Sequence, residues 1–405
     1  MNYTDTLNYI HSLGNFGLPA GLDRIKTVLA KLGNPQDNLK AIHIAGTNGK
    51  GSVSAMLGSV FKTAGYKTGL FISPFIIDFR ERIQINGEYI SENDLCIYAD
   101  RIRNTGVQLI EFEFVTALAF LYFSEKNIDI LICETGLGGR LDATNTLDNL
   151  ICAVITKIGL DHTAILGSTI EKIAEEKCGI LRECPVVTSP SQSVAALSVI
   201  KNHAKTLTVP DMTRCEIVKS DITGNILIYK GKKFDTALSG EYQVENAVVV
   251  IETIMQSGYQ IPYDTLYKGI KSAFFPARLE VVSQNPLIVI DGAHNPDGAM
   301  ALSRELEKTG GKITAVIGMM KDKNYKEVLA KTLPYCKNAV AVGVENLPRC
   351  LAAEELKNAA EEFCFSLTAE NYRQALEKAK ELSEGNPIFI FGSLYLAADM
   401  RKILK

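Results

Sequence analysis

Short apolar runs rich in valine and isoleucine alternate with amphipathic segments along almost the whole chain. This pattern predicts a mainly parallel sheet with crossover helices, because parallel strands are usually buried on both faces. Each apolar run ends in a polar or glycine-rich turn. Ligands of open α/β sheets bind at the carboxyl ends of the strands, so functional residues are expected in these turns. The predicted strands are residues 40–46, 67–73, 128–135, 151–159, 286–293, 312–320, 338–344 and 387–393.

The chain is long enough for two domains. Its 405 residues exceed what one hydrophobic core usually organises. A polar stretch at 283–286 precedes a restart of the strand and helix alternation. We therefore predict an α/β fold with two domains. Residues 1–284 form a P-loop NTPase-like domain with a mainly parallel sheet and helices on both faces, and residues 285–405 form a smaller Rossmann-like α/β domain.

Two segments depart from the alternating pattern. Asn86-Gly87, within residues 81–90, is a strong signal for a tight hairpin. Residues 208–240 contain short strand-like pieces, for which we expect an antiparallel edge. Helical patterns follow at 242–257 and 263–273.

Composition and charge exclude several classes of protein. A content of 46% hydrophobic and 22% charged residues is typical of a globular protein, and the formal charge of −3 gives no basic field for nucleic acid. The chain has no apolar run of the roughly 20 residues that a membrane helix needs, and its first residues do not resemble a signal peptide. Nine scattered cysteines without a C-x-x-C pair indicate buried thiols in a reducing cytosol. We expect a cytoplasmic protein without nucleic-acid or membrane partners.

The glycine-rich turn after the first predicted strand has the chemistry of a phosphate loop. Residues 46–52 read GTNGKGS and lead into a segment with helical periodicity. Glycines let main-chain N–H groups approach phosphate oxygens, and the helix N-terminus adds favourable partial charge. Lys50 would reach the β and γ phosphates, and Ser52 could bind Mg²⁺. The spacing departs from the common G-x-x-x-x-G-K-[ST] pattern, and a plain strand-to-helix turn is the alternative.

Polar residues also stand at the ends of two other predicted strands. Glu134 follows the strand IDILIC, where a carboxylate is suited to hold a hard cation beside nucleotide phosphates. A solvated strand end is the alternative. Asp161 and His162 follow the strand at 151–159. Of the five histidines, only His162 and His294 occupy such turns, and a structural role is expected for the other three, which are His11, His43 and His203.

Further candidates are less distinctive by themselves. Lys177 lies near the end of a predicted helix at 168–181, where a solvated lysine is the ordinary interpretation. Arg278 lies in a proline-containing turn before a strand. Asp291 and His294 follow the predicted strand at 286–293, and Asn295-Pro296 has the chemistry of a helix N-terminus. Asp291 could hold ribose hydroxyls, and His294 could contact a phosphate.

Taken in order, these motifs resemble the folylpolyglutamate synthase and dihydrofolate synthase family, within the Mur-type ligases. The resemblance runs from about residue 20 to the C-terminus, and six motifs in the family's order make it specific. They are AGTNGKGS, SPFIIDFRERI, ETGLGGRLDATN, ITKIGLDHTAILG with EKCGIL, FPARLE and DGAHNP.

The resemblance implies an ATP-dependent amide ligase that works through an acyl phosphate. ATP would bind between the domains, whose closure would exclude water. Lys50, His162, Lys177 and Arg278 would be catalytic. Two Mg²⁺ ions are implied, with ligands Ser52, Glu134, His162 and Lys177, the last as a carbamate. The nucleotide would contact Thr47, Asn48, Gly49, Lys50, Gly51, Ser52, Asn246, Arg278, Asp291 and His294.

For the folate or dihydropteroate substrate, the resemblance implies a Ser-Pro loop and the DATN segment. Many members follow Ser-Pro with His-Leu, whereas this chain has the more apolar Phe75-Ile76, which could stack on a pterin but lacks a polar group. The departure concerns the choice of substrate and leaves the ligase chemistry as it is. The implied substrate-binding residues are Ser73, Pro74, Arg82, Asp142 and Asn145.

Two other functions agree less well with the sequence. Another Mur-type ligase, acting on a cell-wall nucleotide, is disfavoured by the predicted hairpin and the GLGGRLDATN segment. A nucleotide-dependent switch is disfavoured because Thr156-Lys157 followed by Asp161 does not match the Asn-Lys-x-Asp pattern of guanine recognition. Within the family, activity on dihydropteroate as well as on reduced folates stays open. We expect a monomer.

Overall fold

The computed structural model describes residues 2–14, 21–345 and 349–405. Its α-helices are α1 (Tyr3–Ser12), α2 (Asp23–Lys31), α3 (Lys50–Thr63), α4 (Glu92–Arg103), α5 (Glu111–Glu125), α6 (Thr163–Leu166), α7 (Ile170–Cys178), α8 (Val194–His203), α9 (Tyr242–Gln256), α10 (Tyr263–Lys271), α11 (Pro296–Glu307), α12 (Tyr325–Thr332), α13 (Ala353–Ala360), α14 (Tyr372–Ser383) and α15 (Leu394–Leu404).

The strands follow the predicted alternation. They are β1 (Ala41–Ala45), β2 (Thr68–Phe71), β3 (Ile83–Ile85), β4 (Glu88–Tyr89), β5 (Ile130–Glu134), β6 (Leu150–Ile155), β7 (Pro185–Thr188), β8 (Thr206–Thr208), β9 (Cys215–Asp221), β10 (Gly224–Tyr229), β11 (Lys232–Thr236), β12 (Glu280–Gln284), β13 (Leu287–Ile290), β14 (Ile313–Ile317), β15 (Cys336–Val342), β16 (Phe365–Ala369) and β17 (Ile388–Phe391).

The larger sheet has eight strands in the order β4-β3-β2-β5-β1-β6-β7-β8. All neighbours from β2 to β8 pair in parallel, whereas β3 pairs antiparallel with β2 and with β4. Every residue of β1 and β5 is buried, as expected for central strands covered on both faces. The predicted hairpin is present at β3 and β4, where Asn86 has the positive φ that such a turn requires.

The smaller sheet has six strands in the order β12-β13-β17-β14-β15-β16. Its strands are parallel except for the edge strand β12, which pairs antiparallel with β13. Helices α11 to α15 accompany this sheet, and its core is built from side chains such as Val289, Ile317 and Phe391. The predicted α/β fold, with a large mainly parallel sheet and a second smaller sheet, is confirmed.

The chain divides into two compact units, each of which is built from three separate segments of the sequence. The first compact unit comprises residues 1–215, 229–234 and 245–273, and the second comprises 216–228, 235–244 and 274–405. The predicted boundary between 284 and 285 therefore differs from these units, because β12 lies before it and yet pairs with β13. Strands β9 to β11 form a separate three-stranded sheet in the order β11-β10-β9, in the region where an antiparallel edge was expected.

Four short strands were not predicted, namely β7, β8, β12 and β16. Strand β8 has three residues and β7 has four, which is too short for a clear apolar run. Strand β16 carries a mixed sequence, FSLTA, with an exposed first residue. Within the described residues, no helix is both long enough and apolar enough to cross a bilayer.

Candidate active site

The glycine-rich turn joins the end of β1 directly to α3, as the sequence predicts. Gly46 has φ of 150° and Gly49 has φ of 94°, both unfavourable for residues with a Cβ. A Cβ on Gly46 would lie 1.8 Å from Thr156 Oγ1, and one on Gly49 would lie 2.6 Å from Asn246 Oδ1. Gly46 is therefore required by close packing as well as by backbone conformation, whereas Gly49 is required by its backbone conformation.

The first half of the loop rests on the segment that follows β6. The N–H groups of Thr47 and Asn48 both donate to the main-chain oxygen of Lys157, at 2.9 and 3.1 Å. Thr47 Oγ1 also exchanges hydrogen bonds of 3.1 Å with the main-chain groups of Gly159. These two amides support the loop, so their predicted contact with nucleotide stays a prediction. The amides suited to an anion are those at the N-terminus of α3, from Lys50 onward.

Lys50 and Glu134 bring two neighbouring strand ends together. Ile44 of β1 lies in register with Glu134 at the end of β5. The Lys50 Nζ atom lies 3.9 Å from Glu134 Oε1 and 3.5 Å from the main-chain oxygen of Thr47. Glu134 is buried, and the N–H of Ser73 lies 3.4 Å from its other oxygen. One carboxylate thus contacts both the phosphate-loop lysine and the Ser-Pro loop.

Lys177 is buried, with only 4% of its surface exposed, although its helical pattern suggested a solvated residue. Its Nζ donates to the main-chain oxygen of Gly46 at 2.8 Å. Burial, together with the nearby Lys50 ammonium, lowers the pKa of Lys177 to about 7, while Asp161 and Asp142 oppose the shift. A large fraction of this amine is therefore neutral near pH 7, the form in which an amine acts as a nucleophile.

His162 lies at the carboxyl end of the sheet, after β6. It caps the short helix α6 in a left-handed conformation, with φ of 49°. Its main-chain N–H donates to Asp161 Oδ1 at 2.8 Å, and its Nε2 lies 3.9 Å from the same oxygen. The imidazole is partly exposed, so a ligand can reach it.

The Ser-Pro loop is held in shape by Glu81. This buried carboxylate accepts hydrogen bonds from the N–H groups of Ile76, Ile77 and Asp78 at 2.7, 3.0 and 3.0 Å. Glu81 was not predicted as a site residue. The Asp-x-x-Glu spacing of Asp78 and Glu81 is that of a capping box, so a sequence signal for it was present.

Arg82 fixes the aromatic side of the same loop. Its guanidinium carbon lies 5.2 Å from the ring centroid of Phe75 and 5.1 Å from that of Phe79. A terminal nitrogen also lies 3.4 Å from Glu111 Oε1. The face of Phe75 that contacts Arg82 is not available to a pterin, so the predicted stacking would use the opposite face.

Asp142 and Asn145 are buried, and their side chains bind main-chain groups of their own loop and of the turn after α7. Asp142 Oδ2 accepts from the N–H of Leu137 at 2.8 Å, and Oδ1 accepts from the N–H of Thr144 at 3.0 Å. Burial raises the pKa of the Asp142 carboxyl. Asn145 Nδ2 donates to the main-chain oxygens of Arg140 and Gly179 at 2.9 and 3.0 Å. Their role toward substrate stays a prediction beside this structural one.

His43 has the structural role that the sequence indicates. It is fully buried in β1, and its Nε2 lies 2.8 Å from Thr144 Oγ1. Burial lowers the pKa of His43 to about 3, so the ring is neutral at physiological pH. His43 therefore couples β1 to the DATN segment without adding charge.

In the second unit, Asp291 and Glu280 hold the turn that carries Arg278. Asp291 is buried and accepts from the N–H groups of Leu279 and Ala293 at 2.9 and 2.8 Å. Burial raises the pKa of the Asp291 carboxyl. Glu280 accepts from the N–H of Ala277 at 3.0 Å and pairs with Arg401 at 2.9 Å.

The residues on either side of Arg278 are both left-handed, with φ of 54° at Ala277 and 48° at Leu279. Such a turn persists only when its surroundings fix it.

His294 Nδ1 lies 2.9 Å from the main-chain oxygen of Gly292, and Asn295 caps α11, as predicted. Contacts of Arg278, Asp291 and His294 with nucleotide stay predictions.

Comparison with known proteins assigns these features to one family. The Mur ligase middle domain model matches residues 44–254, and the Mur ligase, glutamate ligase domain model matches residues 277–394. The dihydrofolate synthase/folylpolyglutamate synthase of Bacillus subtilis is 37% identical over 431 residues, covering 100% of this chain and 99% of that protein. The chain belongs to the folylpolyglutamate synthase/dihydrofolate synthase family.

Solved structures of this family have the same fold. Mycobacterium tuberculosis folylpolyglutamate synthase complexed with ADP has a TM-score of 0.89 and 29% identity, covering 99% of this chain and 98% of that one. Escherichia coli FolC in complex with DHPP and ADP has a TM-score of 0.89 and 28% identity, covering 100% and 98%. The predictions of the family, of the fold and of an ATP-dependent ligase are thereby confirmed.

Proposed function

We propose that this protein adds L-glutamate to folates in an ATP-dependent reaction, and that it also adds glutamate to dihydropteroate. The observation that carries the proposal is the Lys50–Glu134 contact of 3.9 Å at the phosphate loop, with the amine of Lys177 buried against the same loop. The dual name of the Bacillus subtilis relative, at 37% identity over the full chain, supports the second acceptor.

The reaction forms an amide from a carboxylate in two steps. A carboxylate oxygen of the acceptor attacks the γ-phosphorus of ATP, and the bond to the β-γ bridging oxygen breaks, which releases ADP. The amino group of glutamate then attacks the acyl carbon. The tetrahedral intermediate collapses with departure of phosphate, which takes the electron pair, and the nitrogen loses a proton. Both steps bring anionic groups together and therefore need fixed positive charge.

The chain supplies that charge around the phosphate loop. Lys50, at the first turn of α3, is placed to neutralise phosphate oxygens, and the N-terminal amides of α3 add donors. Glu134 orients Lys50 from β5. We keep Arg278, Asp291, His294 and Asn246 as the predicted further contacts of the nucleotide.

The donor set around Glu134 fits Mg²⁺. The described residues contain no group of three or more histidine, cysteine, aspartate or glutamate side chains that could hold a metal by themselves. Mg²⁺ usually binds proteins through one or two carboxylates together with substrate phosphates, which is the arrangement that Glu134 and the buried Ser52 offer. When bound, the cation neutralises charge on the phosphates.

We infer that Lys177 becomes a carbamate and contributes, with His162, to a second Mg²⁺ site. The neutral amine nitrogen attacks the carbon of CO₂, and the nitrogen loses a proton, leaving an anionic carbamate. A pKa of about 7 supports this, because an ordinary lysine at pH 7 is almost fully protonated. The carbamate would place an anionic oxygen ligand at the position of the Lys177 amine, in a site that already holds the Lys50 ammonium.

The acceptor loop and the cellular setting complete the proposal. Ser73, Pro74, Arg82, Asp142 and Asn145 stay the predicted contacts of the pteridine substrate. All nine cysteines are free thiols, which supports a reducing compartment such as the cytosol. We propose a monomer that acts on small molecules.

The deciding experiment measures phosphate release from MgATP with L-glutamate, in parallel with dihydropteroate and tetrahydrofolate as acceptors. Glutamate-dependent release with both acceptors is expected. Release with tetrahydrofolate alone would restrict the enzyme to glutamate extension. Release with neither acceptor would overturn the proposal in favour of another Mur-type ligase activity.

A further inference from the structure

A half-buried glutamine outside the predicted site holds the segment on which the phosphate loop rests. Gln192 lies in the turn between β7 and α8. Its Oε1 accepts a hydrogen bond from the N–H of Ile158 at 3.0 Å, and its Nε2 donates to the main-chain oxygen of Thr156 at 2.8 Å. One carboxamide thus binds main-chain groups two residues apart, as a peptide group of a neighbouring parallel strand does.

The Gln192 side chain makes these hydrogen bonds because the main chain after β7 does not continue the ladder with the chain after β6. Ile155 lies in register with Thr188, and the N–H of Ser189 donates to the main-chain oxygen of Ile155 at 3.0 Å. In a parallel ladder the next donor after Ser189 would be the N–H of Ser191, which instead donates to Ser189 Oγ at 3.3 Å. The carboxamide of Gln192 provides the missing donor and acceptor, and its Nε2 also donates to Thr188 Oγ1 at 3.0 Å.

Three residues of the segment that Gln192 holds, residues 156–159, contact the phosphate loop. Thr156 packs against Gly46 so closely that no side chain fits there. The main-chain oxygen of Lys157 accepts from Thr47 and Asn48, and Gly159 binds the Thr47 hydroxyl. A shift of this segment would therefore displace the loop.

We propose that Gln192 is a positioning residue for the nucleotide. It acts through residues 156–159, which it fixes under the phosphate loop. The inference rests on the proposed function, since it takes the loop to bind ATP. The acceptor loop has its own support from Glu81, so loss of Gln192 weakens nucleotide binding and leaves acceptor binding in place.

The test compares Gln192→Ala and Gln192→Glu with the wild-type enzyme. Equilibrium binding of a fluorescent ADP analogue and the KM values for ATP and tetrahydrofolate are measured. We expect Gln192→Ala to raise the nucleotide Kd and the ATP KM by about tenfold, with the acceptor KM changed by less than about twofold. Gln192→Glu keeps the size of the side chain and one acceptor oxygen, but it replaces the donor to the main-chain oxygen of Thr156 by a second oxygen. We therefore expect the nucleotide Kd and the ATP KM to rise in this variant too. This variant decides the question should the alanine variant fail to fold.

Ser193→Ala is the matched control. Ser193 Oγ caps α8 by accepting from the N–H of Ala196 at 3.2 Å, and its loss destabilises the adjacent helix without touching residues 156–159. An unchanged nucleotide Kd in both Gln192 variants, or an equal rise in Ser193→Ala, would overturn the inference and leave Gln192 a structural residue. Wild-type protein that binds no ADP analogue would instead overturn the proposed function.

Discussion

The Nζ atom of Lys177 donates a hydrogen bond of 2.8 Å to the main-chain oxygen of Gly46. A buried amine therefore lies against the first glycine of the phosphate loop, near a second amine, that of Lys50, whose charge lowers the pKa of Lys177. Two cations so close together are favourable only beside a strongly anionic ligand, or when one of them loses its charge.

Lys177→Ala should lower ligase activity by about 10- to 100-fold, the loss that is typical when a group supporting a bound metal is removed. Short carboxylic acids such as acetate or propionate should restore part of the activity, because they can occupy the position of the carbamate. Phosphate release with and without added acid measures both effects. Lys172→Ala, an exposed lysine of the same helix, is the control and should behave as wild type. Failure of every acid to restore activity would count against the carbamate.

The depressed pKa of Lys177 also predicts a pH-dependent stability. Between pH 7 and the ordinary lysine pKa, the unfolded chain binds a proton that the folded protein does not, so stability rises with pH. Lys177→Met removes this dependence. In CO₂-free buffer its stability advantage over wild type should grow as pH falls from 9.5 to 7, by up to about 1.4 kcal/mol per pH unit. Denaturant unfolding at several pH values measures it, and an advantage independent of pH would contradict the assignment.

Lys50→Ala should abolish ATP turnover while the protein stays folded. The Lys50 side chain contacts Glu134 and the main chain of the loop, and its removal leaves no cavity in the hydrophobic core. Circular dichroism tests whether the variant is folded, and glutamate-dependent phosphate release tests whether ATP turnover is lost. Lys62→Ala, at an exposed position of the same helix, should retain activity. Loss of folded protein in Lys50→Ala would indicate a structural turn.

Arg82→Ala should raise the KM for the pteridine acceptor by about tenfold, because the guanidinium fixes the ring of Phe75 and pairs with Glu111. The ATP KM should change little, since Arg82 contacts Phe75, Phe79 and Glu111. Arg80→Ala is the matched control, because Arg80 belongs to the same turn but pairs with Asp78. Equal effects of the two substitutions would remove Arg82 from the substrate site.

Sequence reasoning located the fold and the phosphate loop because both depend on local patterns. All eight predicted strands are present, since each buried strand is a continuous apolar run that ends in a turn. The burial of Lys177 could not be predicted from periodicity, because its partner Gly46 is 131 residues away in sequence. Only the family resemblance indicated that this lysine is unusual.

The contacts of the polar candidate residues could not be predicted from the sequence for a similar reason. Asp142, Asn145 and Asp291 were selected for their chemistry, and their side chains bind main-chain groups of their own and of neighbouring loops. Such hydrogen bonds depend on the path of the loop, which composition does not give. Gln192 was missed because a lone glutamine in a serine-rich turn has no distinguishing pattern.

The bonds from Thr47 and Asn48 to Lys157 have a consequence for the thermodynamics of binding. Ordering a backbone residue costs about 1–2 kcal/mol of conformational entropy. Since these bonds join parts of the protein itself, that cost is met during folding and does not reduce the affinity for ATP. Their amide hydrogens should accordingly exchange slowly with solvent before any nucleotide is added.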